Sequence, residues 1–122
     1  MTNDVPRPRT GDILLINFNP TLGSEQAGIR PAIVVSTDGL HEASKRAFVC
    51  AITANTVEWP TKVRLPDGLK TKGYVLTDQI RSIDHNHRVM RKIEDAPLGF
   101  VEIVRGFVGR LMGLSLPGQA DE

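Results

Sequence analysis

The sequence predicts a mainly β (α+β) domain: a compact antiparallel barrel or two-sheet β fold with one helix at its C-terminal end. Three observations support this prediction. Short apolar segments rich in β-branched residues recur along the first three quarters of the chain, as they do in antiparallel β proteins. Gly, Pro and Asn separate the segments, and these residues favour turns. The last apolar residues instead recur at helical spacing, which indicates a single terminal helix.

Six segments have the character of strands. The third is apolar enough to be buried on both faces, whereas the fourth, TKVRL, alternates polar and apolar side chains as a half-exposed strand does. Phe18 and Phe48 lie in two of these segments and are expected in the core. The predicted strands are residues 13–18, 32–36, 46–53, 61–65, 73–78 and 89–93.

The connections between these strands are predicted to be loops and turns. Residues 21–29 contain two glycines and no hydrophobic period, which indicates a loop. The polar stretch TDGLHEASKR fits a loop or a short helical turn, and Pro66-Asp67-Gly68 forms a tight turn. His85-Asn86-His87 is too short to hold a metal by itself and is interpreted as a surface turn.

The terminal element is predicted to be an amphipathic helix. Asp95-Ala96-Pro97 is a helix-start signal, and apolar residues then recur on one face up to Met112. Gly106 and Gly109 each cost about 1 kcal/mol relative to alanine inside a helix, so we expect close approach of another backbone there. Residues 1–9 are expected to be a flexible tail and residues 115–122 a disordered one, with a single domain over residues 10–114.

Composition excludes several classes of protein. The chain has 122 residues, 40% of them hydrophobic and 24% charged, as in ordinary globular domains. It contains no apolar run near the roughly 20 residues of a membrane span and no secretory signal, so we expect a cytoplasmic protein. The single cysteine, Cys50, is interpreted as a small buried hydrophobe. No P-loop, dinucleotide fingerprint or zinc-spaced Cys/His set is present, so neither a metal nor a cofactor is expected.

Positive charge is concentrated in one part of the chain. The net charge is +1, but residues 61–92 contain eight Lys or Arg against three Asp, a local charge of +5. Such asymmetry is expected of a surface that meets phosphates. By itself it is more typical of a solvated strand surface with scattered basic residues.

Three segments of the chain resemble the MazF/PemK family of toxins. RTGDILLINFNPTLGSEQAGIRPAIVVS is similar to the N-terminal signature of the family, with its glycine-glutamate-glutamine loop and arginine-proline pair. AITANT is similar to the exit of the third strand, and GYVLTDQIRSID to the aspartate-glutamine-basic segment. The segments occur in family order, and the resemblance covers residues 10–114. It implies a small SH3-like antiparallel β-barrel of the CcdB/PemK type with a C-terminal helix.

The resemblance also implies a function and the residues that perform it. The function is that of a type II toxin–antitoxin toxin, a sequence-specific, metal-independent endoribonuclease that cleaves single-stranded RNA in mRNA, rRNA or tRNA. Arg30 and Thr53 match the catalytic arginine and threonine of the family, and Glu25 matches a loop glutamate with an active-site role in some members. Asp78 and Gln79 match a pair beside the RNA groove.

Metal-independent cleavage of RNA uses the adjacent 2′-hydroxyl as nucleophile and yields a 2′,3′-cyclic phosphate and a 5′-hydroxyl. Arg30 suits the charge-stabilising role, because its fork of donors matches two phosphate oxygens, whereas a guanidinium has donors only and is a poor base. The Thr53 hydroxyl would bond a phosphate oxygen. Glu25 is either the carboxylate base or a structural support of its loop. Some family members have an arginine where this chain has Leu76, so schemes that need it do not carry over.

RNA bases and phosphates would be bound by further residues. Single-stranded RNA is recognised by bases that stack on flat side chains, and Trp59, in the turn Glu58-Trp59-Pro60, is the best candidate for an exposed platform. It could equally well pack onto the barrel. The other RNA-binding candidates are Gln26, Asp78 and Gln79, together with the phosphate-attracting Lys62, Lys70, Lys72 and Arg81.

The family also implies partners. These are a second copy of the chain in a homodimer, single-stranded RNA along the subunit interface, and a cognate antitoxin whose disordered acidic C-terminal segment covers the groove. DNA would be contacted only through the antitoxin, and no membrane is involved. Two alternatives remain: a non-enzymatic, CcdB-like gyrase-binding toxin of the same fold, and a catalytically dead RNA-binding barrel. The arginine-proline loop with Thr53 argues against the gyrase-binding toxin, because such a protein needs no phosphate site.

Overall fold

The computed structural model describes residues 7–20, 23 and 28–114. Within them, six antiparallel strands form one sheet in the order β4-β5-β3-β2-β1-β6. The sheet is barrel-like but not closed, because β4 and β6 remain edge strands. The elements in chain order are β1 (Asp12–Asn17), β2 (Ile29–Val34), α1 (Asp38–Ala43), β3 (Arg46–Thr53), β4 (Lys62–Arg64), β5 (Tyr74–Asp84), α2 (His85–Arg88), β6 (Val89–Asp95) and α3 (Leu98–Leu111).

The sheet is strongly curled. Arg81 of β5 donates from Nη1 to the carbonyl oxygen of Phe18, 3.1 Å away, although β3 and β2 lie between β5 and β1 in the sheet. The Arg81 guanidinium also lies 5.6 Å from the centroid of the Phe18 ring. A flat sheet could not make this contact, because neighbouring strands are about 4.8 Å apart. The curl therefore brings residues of non-adjacent strands together.

Both faces of the sheet are buried. One face carries Ile13, Ile33, Cys50 and Val75, which pack with the buried side of α3. The opposite face forms a second apolar cluster within the curl, which includes Leu14, Ile16, Phe18, Ala32, Val34, Ala47, Val49, Ala51, Leu76, Ile83 and Val89. Polar side chains of the central strands β1, β2 and β3 therefore reach solvent mainly at the strand ends, whereas β5 and the edge strand β6 expose polar side chains such as Asp78 and Arg91 along their length.

Helix α1 is anchored by polar contacts to the segment that leads into β1. The Asp38 carboxylate accepts from the backbone N–H of Thr10 at 2.8 Å, and the Thr10 hydroxyl donates to the carbonyl oxygen of Ser36 at 2.6 Å. His41 is buried and hydrogen-bonded to the Ser36 hydroxyl, and its burial lowers its pKa. These bonds fasten the start of the domain to the β2–β3 connection.

Most of the predicted elements are confirmed. β3 spans the predicted residues, and α3 begins directly after the predicted Pro97 signal and buries Val101, Val104 and Val108. TDGLHEASKR contains a short helix, α1, and Cys50 is fully buried. The predicted strand at residues 73–78 is instead the eleven-residue β5, which continues to Asp84. An irregularity in its pairing with β3, between Cys50 and Ile52, shifts the alternation of side chains, so no single period-two pattern runs along it.

Two expectations about packing were wrong. Phe48 is 41% exposed rather than part of the core. It lines a groove near the C-terminal end of α3, where the helix no longer covers the sheet. Gly106 and Gly109 do not mark a close backbone approach, since a Cβ atom at either position would have no described heavy atom within 4 Å outside the helix's own backbone and the adjoining residues. They lie on exposed or half-exposed positions of α3.

The predicted tails lie mostly outside the described residues. Only residues 7–9 of the N-terminal tail are described, and there Pro8 is buried and the backbone N–H of Arg9 donates to Asp12 at 2.9 Å. The C-terminal tail, residues 115–122, lies wholly outside them.

Asp38 is expected to stabilise the fold in a pH-dependent way. The hydrogen bond from the Thr10 backbone N–H lowers the pKa of the Asp38 carboxyl below its ordinary value of 3.8. A lowered carboxyl pKa adds stability above pH 3.8 that is lost as the pH falls through the folded-state value. Asp38→Asn should therefore be less stable than the unchanged protein in urea at pH 7, and the difference should shrink below pH 3.8. Glu42→Gln on the same helix is the control, and a difference independent of pH would contradict this account.

Candidate active site

One row of side chains crosses the sheet at the ends of its strands. Arg30 of β2 pairs with Ile16 of β1, and Thr53 of β3 pairs with Tyr74 of β5, which pairs in turn with Arg64 of β4. The last pair in the β2–β3 ladder is Ala32 with Ala51. Arg30 and Thr53 each lie two residues beyond this pair and therefore on the same face as it, and the same register carried that far would set them opposite each other. The row Arg30, Thr53, Tyr74 and Arg64 is called the rim row below.

The position of the rim row follows from the apolar pattern of its strands. Ala32 and Val34 precede it on one strand, and Ala51 and Val49 on the next, all four buried inside the curl. Because alternate residues of a strand share a face, Arg30 and Thr53 continue these buried rows to the point where they meet solvent. Arg30 is half-buried, and Pro31 beside it favours an extended backbone there.

Thr53 is 8% exposed and closely held. Its Oγ1 accepts from the backbone N–H of Asn55 at 3.2 Å. A hydroxyl that accepts one hydrogen bond still has its own hydrogen to donate. The threonine hydroxyl is thus oriented at the end of β3 and retains the ability to donate to a bound group.

Gly73 presses against the backbone of Thr53. A Cβ atom at position 73 would lie 2.1 Å from the Thr53 carbonyl oxygen, and its φ of +125° is one that side chains rarely adopt. The Gly73 carbonyl oxygen accepts from the backbone N–H of Leu65 at 2.9 Å. Only glycine fits this position without displacing the strand end that carries Thr53.

Trp59 lies in the loop that follows Thr53 and is 63% exposed. The Lys62 ammonium fixes this loop by donating to the carbonyl oxygens of Asn55, at 3.2 Å, and Val57, at 2.6 Å. It also lies 5.6 Å from the centroid of the Tyr74 ring. A cleft of about 500 Å³ opens beside the loop, lined by Glu58, Trp59, Pro60, Lys62, Arg64 and Tyr74.

The other basic candidates are distributed around the sheet. Arg81 bonds the Phe18 carbonyl oxygen and stacks over its ring, as described above. Lys70 and Lys72 are exposed and lie outside the rim row, on the loop between β4 and β5. The backbone N–H groups of Lys70 and Thr71 in that loop donate to the Glu94 carboxylate of β6 at 2.9 and 2.8 Å.

Of the four acidic and amide candidates, two lie on β5 and two lie outside the described residues. Asp78 is exposed and Gln79 half-buried, and both lie within the irregular stretch of β5 between Val75 and Ile80. Burial raises the pKa of the Cys50 thiol to about 12, and the charge of Asp78 contributes to the shift. Glu25 and Gln26 lie outside the described residues.

Sequence reasoning missed three residues at this end of the sheet. Tyr74 and Arg64 complete the rim row. Arg88 donates from Nη1 to the carbonyl oxygens of Asn17, at 3.3 Å, and Asn19, close to the end of β1. The alternation of TKVRL places Lys62 and Arg64 on one face and could have suggested Arg64. Nothing local in the sequence places Tyr74 beside Thr53.

The described residues contain neither a candidate metal site nor a membrane-spanning helix. No group of three or more His, Cys, Asp or Glu side chains in this part of the chain is arranged to hold a metal ion. No helix among residues 7–20, 23 and 28–114 is long and apolar enough to cross a bilayer.

Comparison with known proteins identifies relatives over nearly the whole chain. The family model described as “PemK-like, MazF-like toxin of type II toxin-antitoxin system” matches residues 9–110. “Endoribonuclease toxin MazF” of Escherichia coli K12 is 30% identical over 106 residues, which cover 87% of this chain and 95% of that protein. “Endoribonuclease EndoA” of Bacillus subtilis 168 is 36% identical over 81 residues, or 62% of this chain and 70% of that protein.

Solved structures match the fold as well. MazF (Form-I) from Deinococcus radiodurans superimposes with a TM-score of 0.82 at 32% identity, over 89% of this chain and 99% of that one. A MazE-MazF structure (Form-II) from the same organism matches with a TM-score of 0.75 at 29% identity, over 90% of this chain and 99% of that one.

Gly73→Ala is expected to destabilise the fold and displace Thr53. The contact with the Thr53 carbonyl oxygen adds to the cost of the backbone conformation, so we expect a loss of about 2 kcal/mol or more in the free energy of unfolding. Gly68→Ala is the matched control, because Gly68 also has a positive φ but no atom within 4 Å of a Cβ. It should lose only about 1 kcal/mol. Urea unfolding gives both values, and equal losses would contradict a steric role for Gly73.

Proposed function

This chain belongs to the family of PemK-like, MazF-like toxins of type II toxin–antitoxin systems, and we propose that it is the toxin of such a system, an endoribonuclease that cleaves single-stranded RNA at particular sequences in the cytoplasm. The observation that carries this proposal is the placement of Arg30 and Thr53 on neighbouring strands, facing the same way at the open end of the curled sheet.

The rim row supplies the groups that an RNA phosphodiester needs. The Arg30 guanidinium binds two phosphate oxygens through parallel N–H donors. The Thr53 hydroxyl, held by Asn55, donates to a phosphate oxygen. Because charge builds up on these oxygens as the 2′-hydroxyl attacks, donors fixed in place before reaction stabilise the transition state more than the ground state.

In the proposed cleavage step, every bond change and proton transfer is accounted for without a metal ion. The 2′-oxygen forms a bond to phosphorus as its proton passes to a base, and the bond from phosphorus to the 5′-oxygen breaks. The products are a 2′,3′-cyclic phosphate and a 5′-hydroxyl that has gained a proton. We propose Glu25 as the base and Arg30 as the donor to the leaving 5′-oxygen. If Glu25 only supports its loop, a water molecule must take the proton instead.

The remaining candidates are proposed to bind the RNA around this centre. Lys62, Lys70, Lys72 and Arg81 supply positive potential along the path of the strand, and Gln26, Asp78 and Gln79 offer polar groups to bases or ribose. Several of these cations also bond backbone carbonyls, as Lys62 and Arg81 do. A carbonyl partner does not neutralise the charge, so they still attract phosphates.

We propose two protein partners. The MazE-MazF structures of Deinococcus radiodurans support a cognate antitoxin for this chain, whose acidic segment would occupy the basic RNA path and would provide the only link to DNA. A second copy of the chain is the other partner. It would cover an apolar groove of about 380 Å³ between α1, α3 and the sheet, where Phe48, Ile80, Met112 and Leu114 are exposed.

Loss of either rim group is expected to reduce cleavage. Arg30→Ala should lower kcat/KM about a hundredfold or more, a barrier increase of about 3 kcal/mol. Thr53→Val, which keeps shape but loses the hydroxyl, should lower it roughly tenfold or more, whereas Thr53→Ser should retain most activity. The measurement is cleavage of a labelled single-stranded RNA in EDTA, with detection of the cyclic phosphate. Arg110→Ala on α3 is the control.

Three outcomes of that experiment would count against the proposal. Near-full cleavage by folded Arg30→Ala would refute the role of Arg30. RNA bound but left intact would favour a catalytically dead binding protein. No interaction with RNA would favour a gyrase-binding toxin of the same fold.

A charged side chain introduced into the apolar groove tests the proposed dimer interface. Ile80→Glu places a carboxylate on the exposed apolar surface and should shift the protein from dimer to monomer in sedimentation equilibrium. Leu98→Glu is the control, because Leu98 is 79% exposed at the other end of α3 and does not line the groove. Equal masses for Ile80→Glu and the unchanged protein would mean that this groove is not the interface.

A further inference from the structure

The cleft beside Trp59 is continuous with the rim row. Tyr74 and Arg64 belong to both, because they line the cleft and follow Thr53 in the row, Tyr74 next to Thr53 and Arg64 next to Tyr74. With neighbouring strands about 4.8 Å apart, Tyr74 lies one strand away from Thr53 and Arg64 two strands away. The cleft therefore begins within one nucleotide of the phosphate that Arg30 and Thr53 would hold.

The walls of the cleft suit a flat aromatic ligand. Trp59 presents most of its indole to solvent on one side, and Tyr74 is half-buried on the sheet below. An exposed indole is a strong stacking surface for a nucleobase. The volume of about 500 Å³ is within the range of ordinary small-ligand pockets.

The loop that carries Trp59 is held in place before any ligand binds. Besides the two bonds from the Lys62 ammonium, the backbone N–H of Lys62 donates to the Trp59 carbonyl oxygen at 3.0 Å, and the backbone N–H of Val57 donates to the Asn55 side chain at 2.8 Å. Preorganisation of this kind reduces the entropy lost on binding. The backbone that carries Trp59 is thus held in place at the edge of the cleft.

Two charged groups in the cleft match the parts of a nucleotide. The exposed Glu58 carboxylate only accepts hydrogen bonds, so it selects base edges that present N–H donors. The exposed Arg64 guanidinium lies 3.3 Å from Asp67, its partner in a solvent-exposed ion pair. Such pairs are weak, so a phosphate of the RNA can take the place of Asp67.

We propose that this cleft binds the base of a nucleotide adjoining the scissile phosphate, stacked on Trp59 above Tyr74, with its edge toward Glu58 and a neighbouring phosphate on Arg64. The cleft is then a determinant of cleavage sequence. This inference rests on the proposed nuclease function, because it assigns a position in the RNA relative to the cleaved bond.

A kinetic test uses RNA oligonucleotides with one cleavage site and a single abasic residue at each flanking position in turn. The unchanged protein should lose about tenfold to a hundredfold in kcat/KM when the missing base is the one that the cleft binds. Trp59→Ala should lose a similar factor on the intact RNA and almost nothing more at that abasic position. Trp59→Phe should still lose activity when the base at that position is missing, because phenylalanine also offers an aromatic ring for stacking. Val57→Ala, an exposed apolar residue of the same loop outside the cleft, is the control.

A binding test needs no catalysis. Trp59 is the single tryptophan of the chain, so its fluorescence reports on this cleft alone. RNA with a 2′-deoxy residue at the cleavage position cannot supply the nucleophile and should quench the emission, whereas RNA abasic at the critical position should quench it far less.

The two tests separate the inference from the function. Cleavage with no abasic position coupled to Trp59, and no quenching, would overturn the assignment of the cleft and leave the nuclease intact. Quenching by the deoxy RNA that depends on one base, with no cleavage of the all-ribose RNA, would support base binding in the cleft and refute the nuclease. Neither quenching nor cleavage would overturn both.

Discussion

In the β2–β3 ladder, Ala32 lies opposite Ala51, and a shift of one residue would turn Arg30 and Thr53 to opposite faces of the sheet. The packing of the two apolar clusters fixes this register, because a slip of one residue on either strand would exchange its side chains between the two buried faces, where Val34 and Val49 pack on one side and Ile33 and Cys50 on the other. The packing of the apolar core therefore determines whether a guanidinium and a hydroxyl can hold one phosphate. Stability and the proposed chemistry depend on the same pairing.

Burial of both faces of the central strands leaves Arg30 and Thr53 near strand ends. The space there is limited, and Gly73 shows how closely the chain is packed around Thr53, since even a methyl group would collide with the Thr53 carbonyl oxygen. On the outer side, the Lys62 ammonium joins the loop that carries Trp59 to the sheet. The sheet at Tyr74 and Arg64 and the hydrogen-bonded loop that carries Trp59 form an open cleft next to the rim row. Base-specific binding of a flexible RNA strand requires such a preformed surface.

The basic residues of this end of the molecule serve two purposes. Arg81, Arg88 and Lys62 donate to backbone carbonyls and so hold the curled sheet and its loops together. Because carbonyl partners are neutral, the same residues keep a positive potential where an acidic strand or peptide would lie. This double use explains how a chain with a net charge of +1 can present a basic surface.

The amino-acid pattern alone was enough to predict the elements whose residues pack regularly against one core, such as β3 and α3, and the family motifs single out Arg30 and Thr53. The extension of β5 to Asp84 and the exposure of Phe48 depended on a pairing irregularity and on where α3 ends, which no local pattern records. The position of Tyr74 next to Thr53, and of Arg64 next to Tyr74, depends on the strand order, because β5 lies between β3 and β4 in the sheet. Strand order is set by the burial of the whole sheet, whereas sequence periodicity reports only on neighbours along the chain.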